Sequence, residues 1–393
     1  MLFRSGELKL LWPFYLYFLI YGLSTMIFPF MIIYFVNLGF SFFEVSLITA
    51  TYAIVIVLFE VPTGILADRT SRKQAVILGF VITGSCILLI PYTQSLIALI
   101  ILWGCVALGV ALASGAEDSW VIDNLKRKRR KDLNKEYFIK ASSITSFGAI
   151  FAPFLGALIV VAYPMSVLWT VFGAGYLINA LILLFAREEY SPARSKKPIG
   201  RATLLKAVRT RPIVLLVFAG VFAQLMIGAS VGEQPLLVML GMAEHQLGYF
   251  YSLSALFILF APFIARRFVD SRIGIIRVLP FQILAIALIV LSQPGMYLYA
   301  AALMIIGAII YTVQNTLHYT LLHETIPSRM RASISSVNSM VLQVSVAAVT
   351  LMSGYLMDLF GPQMIVAGMS VYGIVALSLY TRITPESTSA ETA

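Results

Sequence analysis

The chain has 393 residues, 60% hydrophobic and only 12% charged, with a formal net charge of +10 and a mean hydropathy of +0.91. Soluble domains are about 45–50% apolar and about 25% charged, which excludes a water-soluble enzyme or binding module as the reading of the whole chain. Nor does the charge signal nucleic acid: residues 124–140 and 187–211 each hold eight basic and two acidic residues, the remainder is slightly negative, and neither stretch could fold into a nucleic-acid-binding module.

Apolar runs divided by charges and turn residues predict twelve helical spans, at 10–36, 44–67, 74–91, 95–123, 138–162, 165–186, 212–238, 246–266, 275–292, 296–322, 331–357 and 362–381. Helices satisfy their own backbone groups in hydrocarbon, and the ten-residue alternation of a membrane barrel is missing. The expected fold class is therefore an all-α membrane protein. The first run follows Arg4 and Lys9 and is too long for a cleavable signal peptide. With both termini inside, the inner segments carry 2, 3, 8, 8, 4, 2 and 1 basic residues, all 28 in the chain, and the outer loops carry none. Basic residues collect on the cytoplasmic side, so we expect an integral protein of the cell (inner) membrane with cytoplasmic N- and C-termini. The longest inner loop, 187–211, carries Pro192, Pro198 and Gly200. It divides a six-helix bundle over 1–186 from a second over 212–383, with a polar tail at 384–393.

In chain order, Tyr17, Tyr21 and Ser24 share one face of span 1 and are candidates to line a substrate cavity, although such spacing also serves packing. Glu60 lies inside span 2, ~12 Å of helix rise before Asp68. It is either a proton carrier or a partner of the charged turn that follows. Cys86 and Cys105 lie in apolar runs and read as small packing residues. Span 4 ends Ser114-Gly115-Ala116-Glu117-Asp118-Ser119-Trp120-Val121-Ile122-Asp123. Glu117 and Asp118 point about 100° apart, with Ser114 flanking both, so at most one is expected to face the cavity centre. A carboxyl there can carry a proton, bond to a neighbouring helix, or join the cytoplasmic turn. Small residues in span 5 permit close helix contact, and Pro153 bends that span. Span 7 contributes Gln224 as a cavity candidate and Glu233, which precedes Gln234-Pro235 and either serves an outer gate or reaches outer water.

Span 10 places Tyr311, Gln314, Asn315 and His318 at i, i+3, i+4 and i+7, a single face that must turn inward in lipid. Cavity lining and interhelical hydrogen bonding both account for it, and His318 is a further proton-coupling candidate. The halves are weakly similar: residues 67–69 match 269–271, Asp123 matches Glu324, and Glu117 falls opposite His318. No Lys or Arg lies mid-span, which favours a neutral or cationic, fairly apolar substrate over an anion. There is no nucleotide loop, metal-spaced cluster or nucleophile motif. No catalytic residue, metal or cofactor is expected; the partners are a small-molecule substrate, protons and the lipid bilayer, without nucleic acid, for a chain acting as a monomer.

Gly64-Ile65-Leu66-Ala67-Asp68-Arg69-Thr70-Ser71-Arg72-Lys73 resembles the major facilitator signature G-x-L-a-D-r-x-G-R-[KR], with Ser71 at its second glycine. Gly148-Ala149-Ile150-Phe151-Ala152-Pro153-Phe154-Leu155-Gly156-Ala157 resembles the antiporter signature g-x-x-x-G-P-x-x-G-G, with alanine at two glycine positions. Glu60-Val61-Pro62-Thr63-Gly64, taken with the end of span 4, is similar to a prokaryotic branch of that superfamily carrying S-G-x-x-[DE]-[AS]-x-x-x-D. Cys105 stands where a third signature has an arginine. The resemblance implies a drug–proton antiporter-like transporter of two six-helix bundles working by alternating access. It implies that Gly64 lets span 2 approach span 11, and that Asp68 accepts hydrogen bonds at the start of span 11 and pairs with Arg72 in a gate that Asp123 joins. Gly148, Pro153 and Gly156 would then mark an exporter. The expected function is proton-coupled export of small apolar or cationic compounds, of the multidrug-efflux type. The alternatives are proton-coupled uptake of a small solute by symport, and a transport-dead membrane sensor with the same fold.

Overall fold

The computed structural model describes residues 3–188, 211–326 and 331–383, so most of the 187–211 linker, the 384–393 tail and the Asp68 side chain lie outside the described residues. Among the described residues twelve helices are long and apolar enough to cross a membrane. They are span 1 (Glu7–Asn37), span 2 (Phe42–Ala67), span 3 (Arg72–Tyr92), span 4 (Leu96–Arg127), span 5 (Leu133–Ala162) and span 6 (Ser166–Leu184). Then come span 7 (Pro212–Met239), span 8 (Gln246–Ala265), span 9 (Ser271–Leu291), span 10 (Tyr297–Thr325), span 11 (Val337–Phe360) and span 12 (Pro362–Thr381). Span 5 begins five residues before the expected 138, which brings Tyr137 into the helix.

Contacts sort the chain into two units, the first holding residues 1–40, 47–195 and 244–252, the second 41–46, 196–243 and 253–393. Each departs from a simple halving by one short exchange. In the first unit span 3 packs against spans 4 and 6, and span 1 against spans 5 and 6. In the second, span 9 packs against spans 10 and 12, and span 7 against spans 11 and 12. The second pattern is the first with six added to every span, the contact form of the internal repeat.

Small residues set the spacing in the first unit. A Cβ on Gly148 would lie 2.5 Å from the Gly22 Cα, and one on Gly79 would lie 2.4 Å from the Gly109 carbonyl oxygen. Spans 1 and 5, and 3 and 4, thus meet backbone to backbone, the close approach that holds helices together where burial from water offers no driving force. The expected span-5 motif resolves into these contacts. Gly148 lies on Gly22, and a Cβ on Gly156 would stand 2.8 Å from the Met26 carbonyl oxygen. Pro153 presents its carbonyl to Gly248, whose Cβ would come within 2.3 Å of it, while Ser252 Oγ donates to the Ile150 carbonyl at 2.6 Å. A Cβ on Gly64 would meet no described atom within 4 Å.

Spans 8 and 12 are each made of two helices, Gln246–Ile258 with Ala261–Ala265 and Pro362–Gly368 with Ser370–Thr381, and spans 1, 7 and 4 are interrupted as well. Span 1 runs as Glu7–Ser24, a tighter 3-10 stretch over Thr25–Phe30 containing Pro29, and Met31–Asn37; Pro29 has no N–H to continue the ladder. Span 7, its repeat counterpart, pauses between Leu225 and Ser230, around Gly228. Span 4 stops at Ala113 and restarts at Ala116 across Gly115, whose φ of 70° is open to glycine at little cost. Span 10 continues unbroken over the corresponding stretch.

At the start of span 1, Glu7 is sealed from solvent yet fully partnered. Its carboxylate accepts from the Tyr15 hydroxyl at 2.7 Å, the Arg4 backbone N–H at 2.7 Å, and the Lys140 ammonium on span 5. Glu136 joins this cluster through Arg4 at 2.7 Å and Lys140 at 3.6 Å. In the second unit, the first turn of span 2 is capped twice. Ser41 and Glu44 exchange side chain–backbone bonds at 2.8 and 3.2 Å, and the Asp358 carboxylate accepts from the Phe42 and Phe43 N–H groups at 2.8 and 3.0 Å.

Two stability outcomes follow. Gly148→Val should lower the apparent melting temperature in detergent, because overpacking costs about 1–3 kcal/mol, whereas Gly64→Ala should leave it unchanged. Lys140→Met should destabilise by about 1–3 kcal/mol by stranding the Glu7 carboxylate; adding Glu7→Gln to that variant should recover much of the loss.

Candidate functional site

The break in span 4 builds the site. Glu117 and Asp118 open the first turn of the helix that restarts at Ala116, where N–H groups lack intrahelical partners and a negative charge is favoured. Glu117 turns into the first unit. Its carboxylate accepts from the Tyr17 hydroxyl of span 1 at 3.0 Å and the Tyr137 hydroxyl of span 5 at 3.4 Å. Asp118 is exposed, but Tyr137 reaches it too, at 3.2 Å. The Tyr137 hydroxyl at the head of span 5 thus stands within hydrogen-bond distance of both acids, although they point about 100° apart on the helix.

Around Tyr17 the wall is aromatic. Its ring stands 5.2 Å from Phe80 of span 3 and 6.1 Å from Tyr21, while Tyr176 of span 6 lies 5.8 Å from Tyr21 and 5.5 Å from Phe80. Ring pairs at such separations and tilts are mutually attractive. No Lys or Arg pairs with Glu117 or Asp118 among the described residues. The site thus joins an electron-rich aromatic surface to carboxylates without a fixed counter-charge. Cations are attracted by both features. Ser24, expected on the same lining, is instead buried, donates to the Tyr21 carbonyl at 2.9 Å, and packs against Gly175 of span 6.

Residues with their functional groups on this site were not all visible in the sequence. Tyr137 was left in the basic loop by a span boundary set at 138, and Phe80 and Tyr176 are single aromatics in uniformly apolar runs. Only the polarity of Glu117 singled out the place where they meet. Ser114 and Glu60 are exposed.

In the second unit the span-10 stripe divides. His318 is 3% exposed, with Nδ1 2.8 Å from the Tyr380 hydroxyl of span 12 and its ring pressed on Gly220 of span 7. Gln314 is likewise buried and donates to Tyr380 at 3.2 Å. These two side chains are packed against spans 7 and 12. The residues share a helical face, but that face is directed between spans 7 and 12. Tyr311 donates to Gln224 on span 7, both half-buried, and Asn315 is half-buried. The exposed polar side of span 10 is a different one, carrying Thr316, Tyr319, Thr320 and His323 along a recess of about 570 Å³. Thr316 and Thr320 donate to the carbonyls four residues back, at 2.8 and 3.0 Å, so their hydroxyls are satisfied. Glu233 is half-buried in the restarted half of span 7.

The 64–73 turn is fastened within the first unit. Ser71 caps span 3, accepting from the Gln74 N–H at 3.1 Å, and also donates to Glu188. This gives the serine at the signature's glycine position a definite structural task. Lys73 donates to the Leu184 and Ala186 carbonyls at the end of span 6, both at 2.7 Å. Arg72 pairs with Asp123 at the end of span 4 at 2.5 Å. The resemblance implied an Asp68–Arg72 pair, which falls on a side chain outside the described residues; Asp123 is a carboxylate that Arg72 reaches among the described ones.

A family model for the Major Facilitator Superfamily matches residues 14–350. An MFS-type transporter of Bacillus subtilis (strain 168), YxaM, itself described as uncharacterized, is 26% identical over 261 residues, 61% of this chain and 62% of that protein. The match thus spans less than two thirds of that relative's length. Among solved structures, a bacterial homolog of the human lysosomal transporter Spinster, in an inward-facing and occupied conformation, superposes with a TM-score of 0.77 at 15% identity, covering 98% of this chain and 99% of that one. The nucleoside transporter NupG superposes at 0.75 with 17% identity over 97% and 99% of the two chains, and a D-xylose–proton symporter at 0.71 with 14% identity over 96% and 97%. At these identities the structural likeness carries the fold. With twelve spans, a duplicated contact plan and a family match over most of its length, the chain belongs to the Major Facilitator Superfamily and is a secondary transporter, not an enzyme.

Proposed function

We propose that this transporter couples substrate movement to protons at Glu117 and exports small, apolar or cationic compounds. The observation that carries the reading is a carboxylate at a helix break, held by two tyrosine hydroxyls against an aromatic wall, with no basic side chain paired to it among the described residues. An uncompensated charge in a site of low polarity is costly. Two species can neutralise this one: a proton, or the positive charge of a substrate. If they exclude each other, inward proton binding expels the cation, which is the exchange an antiporter requires. Tyr17 and Tyr137 steady the carboxylate when neither is bound. Glycine at position 115 lets the peptide chain turn there, so the second half of span 4 can shift without breaking ladder hydrogen bonds elsewhere.

The span-5 contacts of Gly148, Pro153 and Gly156 are consistent with the exporter signature and equally with packing alone, so direction needs its own support. A second reading, proton-coupled uptake of a polar solute, is favoured by the threonine-lined recess on span 10. The fold neighbours include a D-xylose–proton symporter and a nucleoside transporter. Arg72 and Asp123 belong to the gate in either reading, the cytoplasmic ends of spans 3 and 4 moving as one piece while their ion pair is intact.

In proteoliposomes, Glu117→Gln should cut accumulation driven by a pH gradient by at least about tenfold, ~1.4 kcal/mol, while the melting temperature of the protein stays unchanged. Retained gradient-driven accumulation would remove Glu117 from coupling. Inside-out and right-side-out vesicles should differ in the sign of cation accumulation expected for an exporter; the reverse sign would establish uptake. Arg72→Gln and Asp123→Asn should each slow turnover with little change in half-saturation, and the double variant should be no slower than either. Their stability effect should stay within about 1 kcal/mol, since the pair is partly exposed.

A further inference from the structure

A second concave feature lies away from Glu117, among the start of span 1, the end of span 4 and the end of span 6. It is a cleft of about 650 Å³ whose rim holds Lys9, Lys128, Arg130 and Arg187 and whose lining includes no acidic residue. Arg130 is balanced by Asp132, which it meets at 3.0 Å, and it also donates to the Ser5 carbonyl at 2.9 Å. That bond holds Asp132 below the usual carboxylate range. For Lys9 and Arg187 no carboxylate of the described residues is in ion-pair range. Beneath the cations the wall is apolar, with Leu10, Val121 and Leu125, and two large side chains flank the mouth: Trp12 at 43% exposure and Phe185 at 73%.

We propose that this cleft binds the phosphate headgroup of an anionic phospholipid. The lining combines the chemistry a lipid presents: exposed cations for the headgroup, an amphipathic tryptophan, and buried hydrocarbon at Val121 and Leu125. A free anion would find the rim but leave the apolar wall wet. The level is also right, because the cleft lies where span 1 begins and spans 4 and 6 end. The distribution of basic residues assigns those ends to the cytoplasmic leaflet, whose anionic lipids attract basic groups at its surface. The chain's own 189–210 segment is a poor occupant on charge alone, with six basic residues and one acidic. A bound headgroup braces Val121 and Leu125, one and two turns beyond Glu117 on the same half of span 4.

The full-length protein in detergent would be titrated with phosphatidylglycerol, phosphatidylcholine or inorganic phosphate while its melting temperature is followed. Phosphatidylglycerol should stabilise at the lowest concentration, phosphatidylcholine much less, and inorganic phosphate little. Lys9→Gln with Arg187→Gln should raise the half-saturating phosphatidylglycerol concentration about fivefold per charge removed, from about 1 kcal/mol each. Arg266→Gln with Arg267→Gln, which removes equal charge from the second unit, should not. Equal responses to the two lipids would mean that acyl chains or the chain's own segment fill the cleft, and would overturn the proposal. So would full stabilisation by inorganic phosphate, an unaltered response of the Lys9/Arg187 variant, or an equal loss in the Arg266/Arg267 control. If the double variant is too unstable to titrate, Lys9→Gln alone, at an exposed position, supplies the same comparison.

Discussion

Everything distinctive about the first unit depends on a peptide chain that stops being helical for two residues inside a membrane span. A helix crossing hydrocarbon normally keeps every backbone group paired, so a break is tolerated only where something else is gained. At Ser114–Gly115 the break exposes a fresh helix N-terminus to which Glu117 and Asp118 are attached, and two tyrosine hydroxyls converge on the first of these acids. The carboxylate is positioned by a turn, not a rigid rod. Its surroundings can therefore change when span 4 changes shape, while spans 1 and 5, locked through Gly22 and Gly148, hold the tyrosines in place.

The repeat makes this local departure informative. Spans 1 and 7 are both interrupted towards the ends where they lead into spans 2 and 8, and the two units follow one contact plan. Features shared by both belong to the architecture. The break in span 4 is not shared, since span 10 runs unbroken from Tyr297 to Thr325. Glu117 aligns with His318, which is buried against Tyr380 and Gly220 and acts as a hydrogen-bonded part of the packing. Two equivalent positions have thus diverged: a histidine bonded to a neighbouring helix in one unit, and a carboxylate bonded to two tyrosine hydroxyls in the other.

The sequence made the number of spans legible because hydropathy and basic-residue bias are summed over many residues and tolerate local error. Glu117 was legible because an acid in an apolar run stands out against its neighbours. Of its two hydroxyl partners, Tyr17 stood out on the polar face of span 1 and Tyr137 did not. Tyr137 follows a run of lysines and arginines that masks the start of span 5, and nothing in a linear pattern says that Phe80 or Tyr176 meets Tyr17. His318 shows the complementary limit: periodicity groups residues onto one face of span 10 but is silent about whether a cavity or another helix lies opposite. Thr316 and Thr320 escaped notice because a threonine that bonds to its own helix looks, in sequence, like ordinary membrane packing.

The distribution of charge assigns different tasks to different depths. At the ends of the spans, opposite charges meet: Glu7 with Lys140, Arg72 with Asp123, Arg130 with Asp132. Such pairs orient helices and leave little net charge to respond to a ligand. Deeper in, Glu117 has hydroxyl partners alone, which stabilise its charge without cancelling it. A salt bridge at that depth would favour the charged carboxylate alone, whereas a tyrosine hydroxyl can donate to it when it is charged and accept from it when it is protonated. Among the described residues the basic side chains of the spans stand near their ends, and none pairs with Glu117.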